Sequence, residues 1–138
     1  MAVKKIGISF VMMLALTACQ EKKDYAYLMQ HPTELTKAVQ RCNAKTSMTS
    51  EEASQCAETK RAATDFMAIV SEQQMNPEKF GKRVLQAEYQ MVEAKRQLQQ
   101  LQKTPGTPQQ IASATQAYQT KKQEVKTLLA VLSTQSPE

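Results

Sequence analysis

The 138-residue chain contains no tryptophan, three glycines, one histidine and three cysteines. Each scarcity removes a class of chemistry. A glycine-rich phosphate loop cannot be built, because beyond the first 18 residues only Gly81 and Gly106 remain. A nucleophile needs a base held beside it, and His31 is the single imidazole, placed against Pro32 where a cap or turn role suits it better than a catalytic one. No enzyme constellation is expected, and no cofactor or metal. Val, Ile and aromatic residues never alternate in runs, which argues against a sheet. Gln, Ala, Lys, Glu, Met and Leu dominate instead, and these lose little on entering a helix. The expected fold class is all-α.

The first nineteen residues have an order of their own. Lys4 and Lys5 open the chain, residues 6–16 carry no charge, and Leu16-Thr17-Ala18 leads into Cys19. Basic, apolar, then small is the order of a secretory signal peptide. The apolar run is too short for a permanent span, which takes about 20 residues. Leu16-Thr17-Ala18-Cys19 resembles the lipobox of bacterial lipoproteins. That resemblance implies cleavage before Cys19, diacylation of its thiol and acylation of the new amino terminus, palmitate included. Three chains would hold the membrane far more firmly than one. The alternative is an ordinary secreted protein with an incidental cysteine. In lipoproteins of this kind an aspartate after the cysteine favours inner-membrane retention, so Gln20 leans toward the outer membrane, with the chain facing the periplasm.

Removing Lys4 and Lys5 with the signal leaves 16 basic residues against 13 acidic ones. That excess is small and spread out, no tryptophan is present to stack on bases, and an exported chain does not meet nucleic acid. Nucleic acid is therefore not an expected partner. Cys42 and Cys56 form an even pair in an exported chain, which predicts a disulfide. A free buried pair or two metal ligands are the alternatives, although one histidine and this spacing fit no zinc pattern.

Residues 19–23 are expected to be anchor and tether, 24–75 a disulfide-linked helical region, 76–133 an antiparallel helical hairpin and 134–138 a flexible tail. Asp24 can cap a short helix over residues 25–30, and Pro32 suits the first position of the next, with Glu34 in its first turn. Leu35, Ala38, Val39 and Cys42 give that helix an apolar face, before a polar turn over residues 43–48. Thr49 and Glu52 have capping-box spacing, and Ala62, Ala63, Phe66, Met67, Ile69 and Val70 form a wide stripe behind them. Glu58, Lys60 and Arg61 read as a solvated face with local charge pairing. Met48 and Met75 stand at segment ends, while Met67 and Met91 read as core gap-fillers.

Asn76 and Pro77 start a helix with a heptad seam through Phe80, Val84, Ala87, Met91, Ala94, Leu98 and Leu101. Leu85, Tyr89 and Val92 widen the seam, so packing against more than one neighbour is expected. Thr107, Pro108 and Gln110 restart a helix whose face runs through Ile111, Ala114, Tyr118, Val125, Leu128 and Leu132, interrupted at Lys121. The expected hairpin buries Val84, Met91 and Leu98 against Tyr118, Val125 and Leu128. Heptad surfaces also pair between chains, so a homo-oligomer is among the expected partners.

The order Asp24-Tyr25-Ala26-Tyr27-Leu28, then His31-Pro32-Thr33-Glu34-Leu35, then Cys42 and Cys56 resembles the EexN family of small conjugative entry-exclusion lipoproteins. The resemblance covers residues 1–63. It implies a non-enzymatic envelope lipoprotein with which a recipient cell refuses transfer from a donor carrying the same element, its protein partner lying in the donor's type IV secretion machinery. Tyr25, Tyr27, His31 and Pro32 are the matching residues that become candidate partner contacts. Packing of the two tyrosines against Leu35 and Val39 is the plainer alternative. The family is generally shorter, and the hairpin after Asn76 is additional here. The other function class the sequence allows is a structural or accessory lipoprotein of a secretion system or of the envelope.

Overall fold

The computed structural model describes residues 23–104 and 106–134, so the signal-like segment and Cys19 lie outside the described residues. Five helices follow one another: α1 (Tyr25–Gln30), α2 (Pro32–Ala44), α3 (Ser50–Met75), α4 (Pro77–Lys103) and α5 (Pro108–Ser133). The domain is all-α.

Each start has a local cause. Asp24 Oδ1 accepts from the Tyr27 amide at 2.9 Å, which satisfies one of the amides that the first turn of α1 leaves free. His31 alone separates α1 from α2, and Pro32 opens α2 where its missing N–H costs nothing. Thr49 and Glu52 form the expected capping box at the head of α3, with both reciprocal bonds present. Asn76 Oδ1 accepts from the Lys79 amide to begin α4, and a second capping box, Thr107 with Gln110, begins α5. At the α4–α5 turn, Gly106 lies where a Cβ would come within 3.3 Å of the Leu101 side chain and carbonyl oxygen. The chain doubles back there with little room for a side chain.

One hydrophobic cluster draws on all five helices. Leu28 and Met29 of α1, Leu35 of α2, Ala62, Phe66 and Val70 of α3, Phe80, Val84 and Ala87 of α4, and Val125, Leu128, Ala130 and Val131 of α5 are all buried. Phe80, Leu28, Leu128 and Val131 are the largest of its fully enclosed side chains. The disulfide expected from sequence is present: Cys42 and Cys56 lie 5.6 Å apart at Cα and link the end of α2 to the start of α3.

The hairpin forms, but its burial is uneven. The buried residues of α4 are Phe80, Val84 and Ala87, all near its start, and those of α5 lie from Val125 onward. Between residues 88 and 124 no described residue is buried. The distal hairpin is thus a pair of helices whose seam is covered only by each other. Met91, Leu98 and Tyr118, expected to be buried, are half-buried for that reason, whereas Val84, Val125 and Leu128 are buried as expected.

Two further expectations need correcting. Met67 is 62% exposed rather than part of the core, because it lies on the flank of α3 that no other helix reaches. Leu85, Tyr89 and Val92 are 66%, 71% and 60% exposed. They do not pack against a second neighbour within the chain: the core residues of α4 lie on its opposite side, leaving these three on the outer one. Helical period locates an apolar face but does not say whether anything covers it.

Candidate functional site

The residues singled out by sequence gather at the end of the molecule where α1, α2 and the head of α3 meet. Tyr25 ties α1 to α3. Its hydroxyl donates to Asp65 Oδ2 at 2.7 Å, its amide donates to Glu58 Oε1 at 3.3 Å, and the Arg61 guanidinium lies 4.5 Å from its ring centre. Burial, then the hydrogen bond to Asp65, holds the Tyr25 phenol above its ordinary range. The group stays neutral and donating. Glu58 and Arg61 therefore serve Tyr25 rather than pairing locally as the sequence suggested, since both reach toward α1 instead of each other.

Tyr27 and His31 form a second unit, one helical turn apart on the other flank of α1. Their rings stack at 4.0 Å between centroids with 16° between planes. His31 Nδ1 lies 2.8 Å from the Tyr27 carbonyl oxygen. A carbonyl only accepts, so Nδ1 carries the proton and, in the neutral ring, Nε2 keeps its lone pair. Lys23 stands 5.9 Å from the Tyr27 ring centre and pairs with Glu34 at 2.5 Å. Lys37 closes on the same Glu34 at 3.1 Å. These two ammonium groups, Lys23 first, hold the Glu34 carboxyl down to about 2. His31 is exposed and Pro32 half-buried.

Beside this unit runs a groove of about 890 Å³, bounded by Asp24 and Leu28 of the first turns, Ala38 and Arg41 of α2, and the Cys42–Cys56 bridge. Its far rim carries Lys45 bonded to Glu52 at 2.5 Å. The Lys45 bond, followed by the Thr49 amide, holds the Glu52 carboxyl below its usual range. Acidic and basic groups both line it, Asp24, Glu51, Glu52 and Glu58 with Lys23, Arg41 and Lys45, a mixture suited to a polypeptide rather than to a small anion or cation.

Tyr25, Tyr27, His31, Pro32, Cys42 and Cys56 are thus brought within one clasped unit, with Tyr25 and Tyr27 both half-buried and packed against the core cluster and His31 exposed. Asp65 was missed by sequence reading. No local spacing signals it, because its partner Tyr25 lies 40 residues away. Among the described residues no group of three or more His, Cys, Asp or Glu side chains is placed to hold a metal. No helix among them is long and apolar enough to cross a membrane. Comparison with family models, with curated proteins and with solved structures finds no match for this chain.

Proposed function

We propose that this chain is a non-enzymatic, lipid-anchored protein of the bacterial envelope that mediates entry exclusion against a conjugative type IV secretion system. One observation carries the reading. Asp24, Leu28, Cys42 and Cys56 of the EexN-like stretch line one groove at the Cys42–Cys56 bridge. The Tyr27–His31 stack is presented beside it. Refusal of a donor requires recognition rather than turnover, and a half-buried tyrosine such as Tyr27, stacked on the exposed His31 ring, is a side chain favoured at protein contacts. A hold through Cys19 would confine that surface to the membrane at which the donor's apparatus arrives. The test is mating into recipients with and without the gene, using a matched and an unmatched donor. Transfer should fall only for the matched donor and should recover with Tyr27→Ala. Equal transfer in all combinations removes the reading. A second reading, an accessory lipoprotein of a secretion system, draws support from the hairpin beyond residue 88, whose two-helix form suits an assembly element or spacer. Loss of secretion on deletion, with exclusion intact, would favour it.

A further inference from the structure

The helix α4 has two apolar faces, and only one of them is used within the chain. Phe80, Val84 and Ala87 face the core. On the opposite side Leu85, Tyr89 and Val92 recur at the four-and-three spacing of a helix-pairing stripe, each at least 60% exposed. Gly81 stands one turn before Leu85 toward this outer side. It has no positive φ to explain it, and a Cβ added there would meet nothing within 4 Å. Nothing inside the chain accounts for a helix-weakening glycine at that position.

We propose that the outer face of α4 docks a second copy of this chain, with the two α4 helices antiparallel. The charges beside the stripe select both the partner and its direction. With the two helices crossing antiparallel about a point between Gln90 and Met91, Tyr89 meets Val92 of the second copy. Glu88 meets Lys95 of the second copy and Glu78 meets its Lys103, and two-fold symmetry makes every such pairing twice. Glu88, Lys95 and Lys103 take part in no ion pair among the described residues, so each is available. The parallel arrangement in register opposes like with like: Lys82 to Lys82, Arg96 to Arg96, Glu78 to Glu78, and Glu88 to Glu93. A stripe that satisfies itself in one direction and repels itself in the other specifies its own copy. This pairing is independent of the exclusion reading, because it uses no residue of the α1–α3 groove.

The test is disulfide trapping in the full chain. Glu88→Cys with Lys95→Cys places thiols that oppose each other only across the antiparallel pair, since within one helix they stand two turns apart. Oxidation of the membrane and soluble fractions should give a covalent dimer on a non-reducing gel with the double variant and not with either single variant. Adding Tyr89→Glu, which opposes a charge to Val92, should lower that dimer by at least about tenfold. Val92→Glu on the same background, which opposes a charge to Tyr89, should do the same, and gives a second reading where Tyr89→Glu alters helix content by circular dichroism. Absence of the dimer, equal dimer from a single variant, survival of the dimer in both charged variants, or linkage to a different protein in its place would each overturn the proposal.

Discussion

Replacing Leu128 by alanine and, separately, Leu98 by alanine asks where the hairpin gets its stability. Leu128 is 1% exposed at the centre of the five-helix cluster, against residues of α1, α3 and α4. Its truncation removes buried methyl groups and leaves a cavity that three neighbouring helices cannot all close. A loss of about 2–5 kcal/mol is expected. Leu98 occupies the same kind of heptad position but is half-buried, in the stretch where only α5 covers α4. Full burial of a leucine is worth about 1.5–3 kcal/mol, so roughly half of that, about 1 kcal/mol, is at stake, and water fills the space that opens. Urea unfolding followed by circular dichroism, at dilute protein and with the slope unchanged between variants, measures both. Leu128→Ala should lower the midpoint by at least twice as much as Leu98→Ala. Equal losses, or a larger loss at Leu98, would refute the view that the distal hairpin is a thinly covered arm.

Labelled palmitate should enter the natural chain and be missing from Cys19→Ala, with equal labelling removing the lipoprotein reading. The Cys42–Cys56 bridge closes a loop across a separation of 14 residues, so Cys42→Ala with Cys56→Ala should cost about 3 kcal/mol by chain entropy. Amide exchange in that variant should quicken in α1 and α2 well before α4 and α5; uniform quickening would contradict the placing of the clasp. Glu34 should titrate with a midpoint of about 2 in the folded chain. Because its folded value lies below its unfolded one, its favourable contribution is present above about pH 4.5 and is lost as pH falls toward 2. Added salt should raise the midpoint, since the Lys23 and Lys37 pairs are solvent-exposed. A carboxyl titration by NMR with a midpoint near 4 at low salt would exclude the pairing.

The helix starts were legible because each is written in a few neighbouring residues. Asp24, Pro32, the Thr49–Glu52 box and Asn76-Pro77 act over a single turn, and the structure begins a helix at every one. The disulfide was legible from an even cysteine pair in a chain whose first residues read as a signal peptide. Reach was not. Leu85, Tyr89 and Val92 have the same composition and period as a buried face, and only the placement of α3 and α5 on the other side of α4 leaves them outside. The Tyr25–Asp65 bond joins residues 40 apart, a separation across which no local spacing rule operates. Charge clusters misled for a related reason: Glu58 and Arg61 could have served each other, and the arrival of α1 gave them a different partner.

The order in which α1, α2 and the bridge follow Lys23 also sets how the chain responds to force from its amino terminus. A pull there first strains the exposed Lys23–Glu34 pair and then the part-buried Tyr25 bonds to Asp65 and Glu58, all non-covalent. Peeling then runs through α1 and along α2 until it arrives at Cys42. There the bridge diverts the load straight into α3 at Cys56, and α3 spreads it over Phe66 and Val70 in the core. The first twenty or so described residues are held by non-covalent contacts alone, Leu28, Met29 and Leu35 in the core among them, and the bridge is the mechanical stop that keeps tension on the amino terminus from being spent on the polar loop between α2 and α3.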